Sequence, residues 1–451
     1  MIEKDDNSLE KFGYKQELDR RLTLKDLVVY GLVFMTPIAP FGIYGSVVLP
    51  SKGMIALAYL IGMIAMFFTA LSYGQMSQAF PIAGSVYAYA QRGINKHVGF
   101  LAGWMILLDY IFVPALLYII AANSLKSMLP DVPAYVWVVL FIVLNTVINV
   151  RGIQFTNKAN FIFLGVELLV LLIFLVCGTY GVINGVGDGF TMKPFYVAKD
   201  FNINFIFTAT SVCVLNFLGF DAVSTLAEET KGGNKTIGRG IMIALFVVGL
   251  AFIAQTYIAA LLQPDYTTFK SMDTAFYEIA FSVGGKPLQY LTIFATIFSW
   301  GVANSLVAQA AISRILFGMA RDKNLPSVLA HVHPKYKTPF AANILVCVIS
   351  IIMGAIFVNK VNVLSSIVNF GALISFCVIH ISVINYYIRK KHSKNYFKYL
   401  ISPIIGFLII AYVLVNMDIL AKVIGISWFI VGLIYYLILL RTRKSIDLGD
   451  L

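Results

Sequence analysis

Long apolar segments recur through this chain of 451 residues, and they constrain the fold more than any other feature. A helix needs about 20 apolar residues to cross a bilayer, and in lipid every backbone N–H and C=O group must find an internal partner. Only 12% of the residues are charged, whereas soluble domains average about 25%. The sequence therefore predicts an all-α polytopic membrane protein with about twelve transmembrane helices. The predicted spans are 26–50, 53–79, 98–125, 134–150, 158–184, 203–227, 240–262, 288–318, 340–358, 363–388, 399–417 and 423–440.

The basic residues predict the orientation of these spans. An even number of spans places both termini on one side, and most of the 34 Lys and Arg residues fall in the segments on that side. By the positive-inside rule that side is the cytoplasm. We therefore expect a multi-pass plasma-membrane protein with a cytoplasmic N-terminal tail at 1–25 and a cytoplasmic C-terminal tail at 441–451. The net charge of +12 lies in short loops, so we expect no nucleic-acid partner.

The first and sixth spans are both interrupted near their middles. Pro37 and Pro40 remove backbone donors from the first span, and Gly219 and Asp221 interrupt the sixth. Irregular backbone at membrane depth is tolerated where it lines a protein cavity. Interrupted helices at corresponding positions of two halves are typical of inverted-repeat transporters. The alternative for the sixth span is a packing helix with one hydrogen-bonded Asp; the paired interruptions favour a binding site.

Three acidic residues, Asp109, Glu167 and Asp221, lie at clear membrane depth in the predicted spans. The sequence places no Lys or Arg at comparable depth to neutralise them. An unpaired acid in hydrocarbon either stays protonated or meets a mobile cation. Each acid taken alone has a structural alternative, a protonated side chain hydrogen-bonded to a neighbouring helix. Together the three indicate a carrier of cations or protons.

Motifs for other functional classes are incomplete. The sequence GGNKTIG at 232–238 lacks the GxxxxGK[ST] order of a phosphate-binding loop and follows a predicted membrane helix. The four cysteines lie within apolar spans and none is in CxxC, which argues against a disulfide framework or a zinc site. No HExxH or GxSxG motif is present. We expect no enzymatic activity, no cofactor and no metal.

Three stretches closely resemble the amino acid–polyamine–organocation permeases. They are AGSVYAYAQRGINKHVGFLAGW at 83–104, GFDAVSTLAEET at 219–230 and AAISRILFGMARDKNLP at 310–326. The resemblance covers nearly the whole chain and implies the LeuT-like five-plus-five inverted-repeat fold. It implies a first repeat at 26–184, a second at 203–388 and two added helices at 399–440. It also implies alternating access around a site between broken spans one and six and spans three, eight and ten.

The first span departs from the amino acid permeases of this family. Those proteins carry a GSGIF-like stretch whose N–H groups hold the substrate carboxylate, whereas Thr36 to Phe41 here reads TPIAPF, and proline has no N–H. The pieces MTPIAPF, LLDY and NFLGFDA are more similar to the bacterial putrescine-importer branch. The resemblance places Asp109 at the distal end of a bound substrate. It places Glu167 where some relatives carry a proton-cycling lysine, and Leu215 where some exchangers carry an aromatic gate.

We therefore predict a secondary active transporter that imports a small cationic amine, such as putrescine or another polyamine, with coupling to protons rather than sodium. Asp109 and Asp221 would bind the ammonium ends, and Glu167 would couple proton movement. Tyr110 would cover the amine by cation–π contact, or would simply pack within the bundle. The remaining predicted substrate-binding residues line the two interruptions: Thr36, Pro37, Ile38, Ala39, Phe41, Asn216, Phe217, Leu218 and Gly219.

Two alternatives stay open at this point. The first is an amino acid permease, either a proton symporter or an exchanger. It would take the substrate carboxylate on the N–H groups of Ile38, Ala39 and Phe41. The second is a nutrient-sensing transceptor with the same fold.

Overall fold

The computed structural model describes residues 22–81, 85–151, 157–231, 234–321, 324–336 and 338–442. The structure is 80% helical, and the described residues contain no β-strand. Most of the two predicted cytoplasmic tails, 1–25 and 441–451, falls outside the described residues.

Fifteen α-helices occupy the described part of the chain. In order they are α1 Leu24–Met35, α2 Pro40–Val48, α3 Ile55–Ala79, α4 Ser85–Gly93, α5 Lys96–Lys126, α6 Ala134–Arg151, α7 Asn157–Ile183, α8 Ile203–Cys213, α9 Asn234–Leu262, α10 Ala275–Phe298, α11 Ser305–Arg321, α12 Phe340–Phe357, α13 Val361–Val383, α14 Ser402–Val415 and α15 Ile419–Thr442. Short 3₁₀ segments at Val214–Phe217 and Asp221–Glu229 follow α8, and a π-helix, Ser299–Asn304, joins α10 to α11.

The predicted number of spans is confirmed. Within the described residues, eleven helical segments are long and apolar enough to cross a membrane, and the bent pair α1–α2 makes twelve. The predicted interruptions of spans one and six are also confirmed. The assignment of the inverted repeats to 26–184 and 203–388 stays a prediction.

The first interruption separates α1 from α2 by a bend of 52°. The helix ends after Met35 because Thr36 adopts a φ of 51° and Pro37 offers no backbone N–H. The second helix then begins at Pro40, a residue whose fixed φ suits the first turn of a helix. Local sequence therefore sets both edges of this break.

The second interruption follows α8 and lies against the first. Leu218 is extended, with φ −63° and ψ 143°, and Gly219 has a φ of 109°. A Cβ added to Gly219 would lie 2.0 Å from Cδ1 of Phe34, which is near the end of α1. Glycine is required here for its backbone conformation and for this close approach. The two breaks consequently meet inside the bundle.

Two further elements surround the paired breaks. The long helix α5 is buried along most of its length and carries Asp109 and Tyr110. The π-helix of span eight ends at Asn304, whose side chain donates to the carbonyl of Phe34 at 3.2 Å. Single π-turns inside α-helices occur frequently at functional sites. Four segments that are distant in sequence therefore enclose one buried region.

Candidate substrate site

A cavity of about 40 Å³ lies where the two breaks meet α5 and the π-helix. Its volume offers room for a few water molecules. Sixteen residues from these elements and from their continuations line it. They are Phe34, Met35, Thr36, Ala39, Asp109, Tyr110, Val113, Leu117, Leu215, Asn216, Leu218, Gly219, Asp221, Trp300, Asn304 and Ala308.

Two acids line this cavity. Asp109 is 5% exposed and Asp221 is 3% exposed, so both carboxyl groups are buried. The Tyr110 hydroxyl donates to Oδ2 of Asp221 at 3.1 Å. None of the sixteen lining residues, all of them in the described part of the chain, is Lys, Arg or His. The wall therefore carries acidic groups with no fixed cation beside them.

Two asparagines add further acceptors to the wall. Asn304 donates from Nδ2 to the Phe34 carbonyl and, at 3.0 Å, to Oγ1 of Thr36, while Asn216 donates to the Tyr59 hydroxyl at 2.6 Å. The Oδ1 atoms of both asparagines are buried and have no hydrogen-bond partner among the described residues. A buried unsatisfied acceptor costs about 1–3 kcal/mol. A primary ammonium, with three donors and no acceptor, has the complementary chemistry.

Eight of the predicted substrate-binding residues line the cavity: Thr36, Ala39, Asp109, Tyr110, Asn216, Leu218, Gly219 and Asp221. The other four, Pro37, Ile38, Phe41 and Phe217, lie outside its lining. The Pro37 carbonyl accepts from Nε2 of Gln255 at 2.9 Å. Phe217 packs against Phe252 with ring centroids 5.1 Å apart.

Phe41 belongs to an aromatic cluster next to the cavity. Its ring stacks on Phe276 with centroids 4.0 Å apart and meets the edge of Phe174 at 5.8 Å. Phe276 also packs edge-to-face on Tyr44. These contacts tie α2 to α7 and α10, so the Phe41 side chain serves helix packing.

The N–H groups that a substrate carboxylate would need are mostly occupied. Ala39 N–H donates to the Thr36 carbonyl at 2.8 Å, and Phe41 N–H donates to the Ile38 carbonyl at 3.0 Å. Of the three N–H groups considered for a substrate carboxylate, those of Ala39 and Phe41 are therefore already hydrogen-bonded to backbone carbonyls. The first break consequently presents a poor anion site.

Glu167 lies apart from the cavity, on α7, and is 2% exposed. Ser299 Oγ donates to its Oε1, and its Oε2 has no partner among the described residues. Ser299 begins the π-helix that Asn304 ends. The π-helix therefore contacts Glu167 through its first residue and lines the cavity through its last.

The family resemblance implied that span eight borders the site, but the sequence analysis named none of its residues. Trp300 and Asn304 line the cavity together with Ala308. A signal was present, because SWGVANS at 299–305 concentrates polar and small residues inside an apolar span. Only the tertiary structure shows that these residues lie beside the break in span one.

Comparison with known proteins agrees with this architecture. The family model for amino acid permeases matches residues 37–447. The chain belongs to the amino acid permease family. Membership makes it a transporter and not an enzyme, and its apolar helices make it a multi-pass membrane protein.

Individual relatives differ in what they transport. The chain is 37% identical over 433 residues to the low-affinity putrescine importer PlaP of Escherichia coli (strain K12), covering 93% of both chains. It is 24% identical to the branched-chain amino acid permease BcaP of Bacillus subtilis (strain 168), and 27% identical to the methylthioribose transporter of the same organism. In each of these two comparisons, 96% of both chains is covered. Relatives of this chain thus include carriers named for a polyamine and carriers named for amino acids.

Proposed function

We propose that this permease imports a small cationic amine, with putrescine or a related polyamine as first choice, across the plasma membrane. One observation carries the proposal: the cavity wall combines two buried acids with two unpartnered amide oxygens and no basic lining residue. Burying an ammonium group without a counter-charge costs several kcal/mol. A wall of acceptors offsets that cost for an amine and adds to it for an anion.

The two acids would bind the two ends of a diamine from different elements, α5 and the break in span six. Asp221 lies directly after the break in span six and is held by Tyr110, so it suits the ammonium nearer the breaks. Asp109 faces the same cavity from α5 and suits the distal ammonium. Asn216 and Asn304 supply neutral acceptors that complete the coordination of either end.

We assign proton coupling to Glu167, with both termini in the cytoplasm. The acid is buried, lies outside the cavity and contacts Ser299 at the start of the π-helix. A change in its protonation would alter the hydrogen bond to Ser299 and bias the segment that carries Asn304 into the site. Coupling two sites requires an element with two arrangements whose equilibrium both sites bias, and we assign that role to the π-helix.

Amino acid transport is the second candidate, because relatives of the chain include branched-chain amino acid permeases. The occupied N–H groups of Ala39 and Phe41 count against it. Transport of an α-amino acid would need these backbone bonds to open, whereas an amine would use acceptors of residues that line the cavity.

Uptake into proteoliposomes distinguishes the candidates. Labelled putrescine, spermidine, lysine, alanine and serine are compared at equal concentration, with and without an inward proton gradient. We expect saturable putrescine uptake, competition by diamines and stimulation by the gradient. Tight saturable uptake of alanine or serine that excess putrescine leaves unchanged would overturn the proposal in favour of the second candidate.

A further inference from the structure

A second cavity of about 340 Å³ lies away from the substrate site, between the end of α3 and the beginning of α9. The two helices cross at a pair of glycines, where a Cβ on Gly74 would lie 3.2 Å from Cα of Gly238. Small residues let helix backbones approach this closely within a bilayer. We call the cavity that opens beside this crossing the α3–α9 groove.

Three basic side chains line the groove. Lys235 and Arg239 come from α9, and Lys398 comes from the π-helix Phe397–Ile401 just before α14. No acidic residue is among its lining residues, which all belong to the described chain. Basic pockets between helices at a membrane face are suited to phosphate-bearing headgroups.

The remaining wall is apolar and continues onto the surface of the bundle. Leu71, Met242 and Ile243 line the groove. Further along α9, Phe246 is 55% exposed and Leu250 is 49% exposed. Met242, Phe246 and Leu250 lie three, seven and eleven residues after Arg239, so they share a helix face with the cations. A ligand with a charged head and hydrocarbon tails matches this surface. Free phosphate would contact only the part of the groove that the basic residues line.

Gln75 adds a more specific feature to the groove. Its side chain is 3% exposed and donates from Nε2 to the Lys398 carbonyl at 3.1 Å. Its Oε1 is buried and has no hydrogen-bond partner among the described residues. Gln75 Oε1 is therefore an unpaired acceptor in a groove lined by three basic side chains. A ligand that carries both a phosphate and a hydroxyl group could contact the cations and donate to this oxygen.

We propose that the α3–α9 groove binds an anionic phospholipid with a hydroxyl-bearing headgroup, as in phosphatidylglycerol. Lys235, Arg239 and Lys398 hold the phosphate, and Gln75 Oε1 accepts from the headgroup hydroxyl. The acyl chains lie along the apolar face of α9. The site goes beyond the transport function and does not depend on which substrate the permease carries.

The experiment measures lipid binding to the purified permease by native mass spectrometry and by the shift in melting temperature. The lipids are phosphatidylglycerol, phosphatidic acid and phosphatidylcholine, with inorganic phosphate and glycerol 3-phosphate as soluble anions. The site variant is K235Q/R239Q/K398Q. The matched control, K335Q/K391Q/K394Q, removes the same charge from other loop residues, and Leu71→Trp fills the groove without changing charge.

We expect phosphatidylglycerol to bind and to raise the melting temperature of the wild type and the control triple by a few degrees. The site triple and Leu71→Trp should bind it about tenfold more weakly or worse. Gln75→Leu should abolish the preference for phosphatidylglycerol over phosphatidic acid. Equal stabilisation of both triple variants would overturn the proposal. So would stabilisation by phosphatidylcholine equal to that by phosphatidylglycerol, or an equal effect of glycerol 3-phosphate or inorganic phosphate alone.

If the site triple fails to remain monodisperse, Leu71→Trp decides the question, because it leaves every charge in place. Unchanged phosphatidylglycerol binding in that variant would count against the groove. Putrescine uptake measured on the same preparations keeps the two proposals separate, because loss of lipid binding and loss of the amine site are independent outcomes.

Discussion

Tyr110 donates its hydroxyl to Asp221 across 3.1 Å, and this buried bond joins α5 to the break in span six. The two residues are 111 positions apart in the sequence. The bond orients one carboxylate of the cavity, while the neighbouring Asp109 contributes the other from the same helix as Tyr110. The two acids consequently occupy different surroundings, which is the basis for assigning them different ends of a diamine.

Substituting the two acids singly should separate their roles. Asp109→Asn should weaken putrescine binding by roughly 30-fold or more, since stranding a buried ammonium costs about 2–5 kcal/mol. It should spare propylamine, which has no distal charge. Asp221→Asn should weaken both ligands alike, because it meets the ammonium that they share. The measurement is equilibrium binding of both amines to purified protein.

Tyr110→Phe serves as the control for these variants, because it keeps both carboxyl groups and removes only the hydroxyl that donates to Asp221. We expect a loss of about tenfold, corresponding to about 1.5 kcal/mol for a hydrogen bond to a charged group. Equal losses for putrescine and propylamine in Asp109→Asn, or no loss in either acid variant, would mean that the acids serve structure or proton transfer.

Removing the titratable group from α7 should uncouple transport from protons. Glu167→Gln keeps the shape of the side chain and a partner for Ser299, but it cannot exchange a proton. Uptake driven by an imposed pH gradient should fall to the level without a gradient, while exchange of internal for external putrescine persists. Ser299→Ala keeps the acid but removes its hydrogen bond to the π-helix, so it should weaken the response to the gradient. A wild-type response in Glu167→Gln, or an absolute sodium requirement in the wild type, would contradict the assignment.

Asn304→Leu should lower the affinity for all amines by about tenfold, because it removes one cavity acceptor and the bonds to Phe34 and Thr36. Asn145→Leu is a matched control. Asn145 Nδ2 also reaches the π-helix, at the Gly301 carbonyl, yet Asn145 does not line the cavity. Binding isotherms for putrescine should separate the two variants. Similar losses in both would indicate that Asn304 acts only through helix packing.

Gly219→Ala should abolish transport and lower the melting temperature. A Cβ at this position would overlap the Phe34 ring, and a φ of 109° is unfavourable for alanine. Gly165→Ala in α7 is the control, because an added Cβ there meets nothing within 4 Å. Alanine is the better helix former by about 1 kcal/mol, so the control should keep or raise the melting temperature. A functional, stable Gly219→Ala variant would show that the second break can relax.

The sequence by itself determined the membrane class, the twelve spans and the positions of both breaks. These features follow from local properties: the length of apolar segments, the missing N–H of Pro37 and Pro40, and the backbone freedom of Gly219. It also located all three buried acids, because a charged residue inside an apolar span stands out without any knowledge of its neighbours.

Tertiary structure alone decided which of these residues meet. Asn304 bonds to Thr36 across 268 positions of sequence, and Glu167 finds Ser299 across 132. Such pairs depend on how helices rotate and slide against one another, and apolar patterning that is nearly uniform around a membrane helix does not specify that rotation. The same packing placed Phe41 in an aromatic cluster with residues of α7 and α10. The sequence specified the break itself, but the surrounding helices decided which side chains face it.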